Sequence, residues 1–194
     1  MPDKFAYKKL VLASGSPRRA EILRAVGWPF ETVVANIDET LQEGETPVAY
    51  VRRLALAKAD KVAAHIPRGR LVLGADTTVV VADEICGQPR DDDDARRMLK
   101  LLRGCWHEVL TGVALVHAGS DSRRLVDHEV TRVRFAEMTD EEIDWYVATG
   151  DPKGKAGAYA IQGAAAIFIE AVEGDYFNIV GLPVRLVYEM SQRI

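Results

Sequence analysis

Three places in the sequence put residues with useful chemistry where a fold could use them. The first is Ser14-Gly15-Ser16-Pro17-Arg18-Arg19, two hydroxyls and two guanidinium groups between an apolar run, Leu10 to Ala13, and a segment of helical period. A helix N-terminus offers unpaired N–H groups and a partial positive charge, which together hold phosphate or carboxylate. The motif is not a Walker A loop, because no GxxxxGK[ST] occurs in the chain. The same residues would also suit an ordinary N-cap followed by surface arginines. The second place is Lys58, which lies four residues after Leu54, seven after Val51 and four before Val62. That spacing sets it on the apolar stripe of a helix, where an ammonium either finds an anion or snorkels to water. The third is Asp76, after the apolar stretch Leu71-Val72-Leu73-Gly74-Ala75. Ligands of α/β proteins collect at the carboxyl ends of strands, and a carboxylate there can bind Mg²⁺ or orient a water. Asp38 and Glu39 could add oxygen ligands, and a simple aspartate turn is the other reading of Asp76.

Other reactive side chains look structural. His65, His107, His117 and His128 show no i, i+4 metal pairing and read as surface or strand-end residues. Cys86 and Cys105 form neither a CxxC pair nor a zinc spacing, which suits a reduced cytoplasmic protein.

Apolar runs of strand length alternate with helical segments, which gives α/β. Leu10 to Ala13 reads as a strand, and Ser16 with Pro17 starts a helix. Thr46-Pro47 starts a second helix running to about His65. Leu71 to Ala75 reads as a strand ending at Asp76, with Thr77 to Ala82 continuing extended. Asp91 to Asp94 suit the first turn of a helix stopping at Gly104, since the helix dipole favours negative charge there; a calcium site is the minor alternative. His107 to Val116 and Glu129 to Phe135 read as strands, and Thr139 with Glu142 forms a capping box for a helix ending at Gly150. Gly157 to Gly163 reads as a loop. Ala165 to Val172 and Tyr176 to Val180 read as two strands of a hairpin turning at Glu173-Gly174-Asp175. A last helix starts at Pro183.

The chain has 194 residues, 48% hydrophobic and 28% charged, which predicts one domain over residues 1–194 and excludes a disordered chain. Twenty-five Lys and Arg against 29 Asp and Glu give a net charge of −4, which argues against a nucleic-acid partner but allows a small polyanion in a local basic pocket. No apolar stretch approaches the roughly 20 residues of a membrane span, and Leu10 to Ala13 is too short for a signal-peptide core.

At these residues the chain resembles the Maf family of nucleotide pyrophosphatases. The matching stretches are Leu12-Ala13-Ser14-Gly15-Ser16-Pro17-Arg18-Arg19, Gly74-Ala75-Asp76-Thr77, Lys155-Ala156-Gly157-Ala158-Tyr159, Ala160-Ile161-Gln162-Gly163 and Val180-Gly181-Leu182-Pro183. The resemblance implies a Maf/ITPase-like fold: a mixed twisted sheet flanked by helices, in two lobes with an active-site cleft between them, usually as a homodimer. It implies hydrolysis of nucleoside triphosphates to the monophosphate and pyrophosphate with a divalent metal, Mg²⁺ or Mn²⁺. It also implies that Asp76 is the catalytic base, with Ser14, Arg18, Glu39, Lys58 and Lys155 as further polar site residues. Arg18, Thr77 and Gln162 match the branch acting on dTTP and UTP. The sister branch acting on 7-methyl-GTP has tryptophan after Ser-Pro, Ser-Asp-Gln and a late Ser-Glu-Gly, none of which occurs at these positions.

On that resemblance, Asp76, Lys58 and Glu39 are the expected catalytic group, with Glu39 and Asp76 holding the metal. Ser14, Arg18, Arg19 and Lys155 are expected to bind substrate, and Arg18, Thr77 and Gln162 to read the pyrimidine. One departure is Gln88 in Gly87-Gln88-Pro89-Arg90, where the family usually has lysine; Ala160 stands where glycine is common. The rival reading, a nucleotide-sensing regulator of septum formation, has less need of the base at Asp76.

Overall fold

The computed structural model describes residues 9–119 and 124–194. In chain order the elements are β1 (Leu10–Leu12), α1 (Pro17–Ala25), β2 (Phe30–Thr32), α2 (Pro47–Ala63), β3 (Leu71–Val81), β4 (Glu84–Cys86) and α3 (Asp92–Leu102). Then come β5 (Trp106–His117), β6 (Arg124–Phe135), α4 (Asp140–Ala148), 3-10 turns at Ala156–Ala158 and Ala164–Phe168, β7 (Ile169–Glu173), α5 (Tyr176–Val180) and α6 (Val184–Ser191). The strands form one sheet in the order β2-β1-β3-β5-β6-β7, with β4 paired to β3. Pairing is mixed: β1 runs parallel to β2 and β3, whereas β3–β4 and β6–β7 are antiparallel. This is the expected α/β class with a mixed sheet and helices.

Two compact units divide the chain. The first takes the chain up to Asp76, Gly112–His128 and Gly181–Ile194. Its parallel strands keep Leu10 opposite both Phe30 and Leu71. They are connected through α1 and α2, because parallel neighbours need a long crossover. Val11 of β1, Ala13 just after it and Val72 of β3 pack with Ala55, Ala59 and Val62 of α2. Gly74 and Gly112 make that contact close: a Cβ on Gly74 would stand 2.1 Å from the Ala55 carbonyl, and one on Gly112 2.2 Å from that of Val51. Thr46 caps α2 by accepting from the Ala49 amide at 3.2 Å.

The second unit takes Thr77–Thr111 and Glu129–Val180. Its core joins Met98, Leu99 and Leu102 of α3 to Ile143, Tyr146 and Val147 of α4, with Phe135, Tyr159 and Phe168. Asp91 caps α3 by accepting from Asp94 N at 2.8 Å, and Thr139 with Glu142 forms the expected capping box.

Four local readings need correction. Asp76 does not end a strand: β3 runs through it to Val81, because Val79, Val80 and Val81 pair with β4. β6 begins at Arg124, five residues before the expected start. The strand expected from Ala165 starts only at Ile169, after the 3-10 turn at Ala164–Phe168, whereas Ser16 is the expected N-cap of α1, its amide donating to Ser14 Oγ. Tyr176–Val180 is a helix, so no hairpin turns at Glu173-Gly174-Asp175. The Asp175 carboxylate accepts from the amides of Phe177 at 2.7 Å and Asn178 at 3.4 Å, which caps a helix start rather than closing a hairpin.

Candidate active site

The first unit brings Asp76, Lys58 and Glu39 together. Asp76 on β3 is 7% exposed and Lys58 on α2 is 8% exposed. Lys58 Nζ lies 2.6 Å from Asp76 Oδ1 and 2.7 Å from Glu39 Oε1. Lys58 therefore does not snorkel; the helical stripe carries it inward onto two carboxylates. The glycine contacts permit this, since Gly74 is two residues before Asp76 and lets α2 lie close to β3. Burial pushes the Asp76 carboxyl above the ordinary carboxylate range, while Lys58 and Arg19 pull it back.

Glu39 sits in the exposed connection between β2 and α2, where the Tyr50 hydroxyl donates to its carbonyl at 2.9 Å. Asp38 is turned elsewhere: Oδ1 accepts from the Thr40 amide at 2.9 Å and its hydroxyl at 2.6 Å, closing a local turn. Arg53 braces the same segment through Glu45 and the Thr40 carbonyl.

Ser14 and Arg19, also in the first unit, are linked to each other. Arg19 Nη1 donates to Ser14 Oγ at 3.1 Å and Nε to the Gly181 carbonyl at 2.8 Å. Arg19 is buried, and burial lowers its pKa against the pull of Asp76. Arg18 in the first turn of α1 is half-buried, so of the two arginines it is the more open to a ligand.

The second unit carries Thr77, Lys155 and Gln162. Thr77 Oγ1 is 2.9 Å from Thr111 Oγ1. Lys155 is held by Asp151, through its carbonyl and through Oδ1 at 3.3 Å. The other carboxylate oxygen of Asp151 accepts from Tyr146 Oη at 3.3 Å and Ala164 N at 3.2 Å. Gln162 is exposed, as is Gln88. Arg90 donates from Nε to Asp94 at 3.0 Å, which ties it to the start of α3. Reading the sequence did not single out Thr111 or Asp151. A threonine inside the apolar run of β5 was the available signal for the first, and nothing in the spacing marks the second.

His107 lies at the start of β5, one of the strand-end places expected, and is buried there with Nε2 2.8 Å from the Tyr159 hydroxyl; His65 is exposed and bonds the Lys61 carbonyl. Cys86 is buried and its thiol is pushed up to about 11 by burial, so it is a poor nucleophile; Cys105 is exposed.

Among the described residues no group of three or more His, Cys, Asp and Glu could hold a metal by itself. Two carboxylates nevertheless converge on one cation, the Lys58 ammonium. A pair of carboxylates completed by phosphate oxygens and water is a donor set that Mg²⁺ accepts, so Glu39 and Asp76 fit such an ion.

Residues 9–194 match the family described as Maf-like protein. A dTTP/UTP pyrophosphatase of Symbiobacterium thermophilum is 51% identical over 183 residues, covering 94% of this chain and 92% of that protein. One from Alkaliphilus metalliredigens is 46% identical over 177 residues, 91% of each chain. One from Acetivibrio thermocellus is 51% identical over 181 residues, 90% of each. Among solved structures, a HAM1 protein from Coxiella burnetii is 20% identical with a TM-score of 0.47, over 68% of this chain and 74% of its own. With the family match running across both units and the relatives covered nearly end to end, this chain belongs to the Maf-like protein family.

Proposed function

We propose that the chain hydrolyses dTTP and UTP to the monophosphate and pyrophosphate, as the names of its relatives say of them. The observation that carries the chemistry is the buried Asp76 held by Lys58. Oδ1 accepts the hydrogen bond that Lys58 Nζ donates, so Oδ2 is the oxygen that takes a proton from the attacking water. The water oxygen bonds to the α-phosphorus, the bond from that phosphorus to the bridging oxygen breaks, and pyrophosphate leaves with the electron pair. Arg18 and the amides opening α1 suit the phosphates, with Lys155 as a further cation. A divalent ion on Glu39 and Asp76, when bound, supplies neutralisation of charge on the phosphates. Thr77 and Gln162 read the base in this scheme. Assembly as a homodimer in the cytoplasm belongs to the same reading. No described helix is long and apolar enough to cross a membrane.

The test is pyrophosphate release from a panel of nucleoside triphosphates with Mg²⁺, with Mn²⁺ and with EDTA. Metal-dependent release confined to dTTP and UTP is expected. Release from 7-methyl-GTP instead would transfer the chain to the sister activity. Bound nucleotide without release would favour a regulator.

A further inference from the structure

Asp151, shortly after α4, touches Lys155 at two points. Lys155 Nζ donates to the Asp151 carbonyl and lies 3.3 Å from Oδ1. The other carboxylate oxygen, Oδ2, accepts from Tyr146 Oη at 3.3 Å and from Ala164 N at 3.2 Å. Tyr146 is fully buried among the apolar side chains of the second unit, so Asp151 is anchored on that core. Its main chain is tied to α4 as well: the Asp151 amide donates to Thr149 Oγ1 at 3.1 Å, and that hydroxyl donates to the Tyr146 carbonyl at 2.6 Å. Gly163 makes room for the carboxylate, since a Cβ there would stand 2.1 Å from Oδ2. One aspartate thus fastens both ends of the segment from Lys155 to Ala164, which carries Gln162.

We infer that Asp151 is a positioning residue, which orders the Lys155 ammonium in advance for the phosphates of a nucleoside triphosphate. A lysine stem has more rotamer freedom than most side chains and loses it when a ligand fixes the ammonium. The contacts with Asp151 have already removed much of that freedom, so less is lost on binding. An ammonium has three protons and the Asp151 carbonyl takes one, which leaves donors for phosphate oxygens while Oδ1 keeps the charge in place. The Lys155 side chain is 16% exposed, enough for a ligand to reach it. Asp151 touches no substrate in this scheme and acts through Lys155. The inference rests on the nucleotide hydrolysis proposed above and on Lys155 meeting the phosphates.

The experiment measures kcat and KM for UTP in the wild-type protein, Asp151→Asn, Lys155→Met, their double variant and Gly163→Ala, with thermal unfolding as a check on the fold. Asp151→Asn can keep its oxygen toward Tyr146 and Ala164 while turning an NH₂ group toward Lys155, which releases the ammonium. Its KM should rise about tenfold with kcat within about twofold of wild type. Gly163→Ala displaces the carboxylate without removing it and should raise KM in the same direction. The double variant should match Lys155→Met, because Asp151 acts only through the lysine. Additive losses in the double variant would make Asp151 purely structural, and a lowered KM in Asp151→Asn would make it a counter-charge that weakens Lys155. Either result, or an unmoved KM in Asp151→Asn or Gly163→Ala, overturns this inference alone. A wild-type KM in Lys155→Met takes Lys155 off the phosphates and overturns the inference while leaving hydrolysis in place. A wild type that releases no pyrophosphate from UTP or dTTP overturns the activity and this inference together.

Discussion

The Ala55 carbonyl lies where a Cβ on Gly74 would be, 2.1 Å from that position. Neither partner can yield cheaply, since both the carbonyl and the Ala59 amide 2.9 Å away belong to the α2 backbone. Lys58 lies on the same helix between them in sequence. Gly74→Ala should therefore push α2 off the strand, costing about 1–3 kcal/mol as an overpacked core does. It should also lengthen the Lys58–Asp76 pair and lower kcat with dTTP. Urea unfolding and kinetics on one preparation check this; an unchanged midpoint with unchanged kcat would mean that α2 does not depend on the glycine.

The Lys58–Asp76 pair should separate stability from catalysis. Asp76→Asn keeps the shape and leaves Lys58 with Glu39, so the fold should survive while kcat falls on the order of 10²–10⁴-fold. Lys58→Met strands a buried carboxylate, and breaking such a pair costs about 3–5 kcal/mol. The double variant should regain part of that stability without regaining activity. Equal destabilisation by both single variants, or near-normal turnover in Asp76→Asn, would remove Asp76 from the base role.

How much of this the sequence carries depends on how local each signal is. Lys58 is legible because a helix of known period fixes its face, and the capping box at Thr139 and Glu142 lies within one turn of chain. Its partners are not, because Glu39 and Asp76 reach it through tertiary packing that no spacing records. Gly74 and Gly112 each interrupt an apolar strand, which is a usable signal of close backbone approach, but the element approaching is invisible in the sequence. Tyr176 to Val180 has strand-like composition and forms a helix because Asp175 caps it and Asn178 is drawn into the core. The Thr77–Thr111 contact is hidden in the same way, because its two residues lie 34 positions apart in the chain.

Arg18 and Arg19 are neighbours in sequence and should behave differently. Arg19 uses two nitrogens of its planar fork, one on Ser14 and one on Gly181, which a lysine's point charge cannot reproduce. Arg19→Lys should lose about 1–3 kcal/mol of stability and reduce kcat/KM. Arg18→Lys should leave unfolding unchanged and raise KM. An Arg19→Lys protein that unfolds like wild type and changes KM alone would make Arg19 a direct phosphate ligand instead.

His107 should give the protein an acid-sensitive fold. Burial lowers its pKa to about 4, below the 6.5 of the exposed ring, beside Phe135 at 5.2 Å between ring centres and the Tyr159 hydroxyl at 2.8 Å. Between those values the unfolded chain takes up a proton that the folded chain resists, so stability falls as pH drops through that window and is retained above about 6.5. The shift corresponds to at most on the order of 3 kcal/mol between neutral pH and pH 4. His107→Gln can still meet the Tyr159 hydroxyl but cannot titrate. It should be somewhat less stable than wild type at neutral pH and show a flatter decline toward pH 4 in chemical denaturation. Identical slopes for the two proteins would show that the histidine protonates as easily folded as unfolded, and would place the acid sensitivity on other groups.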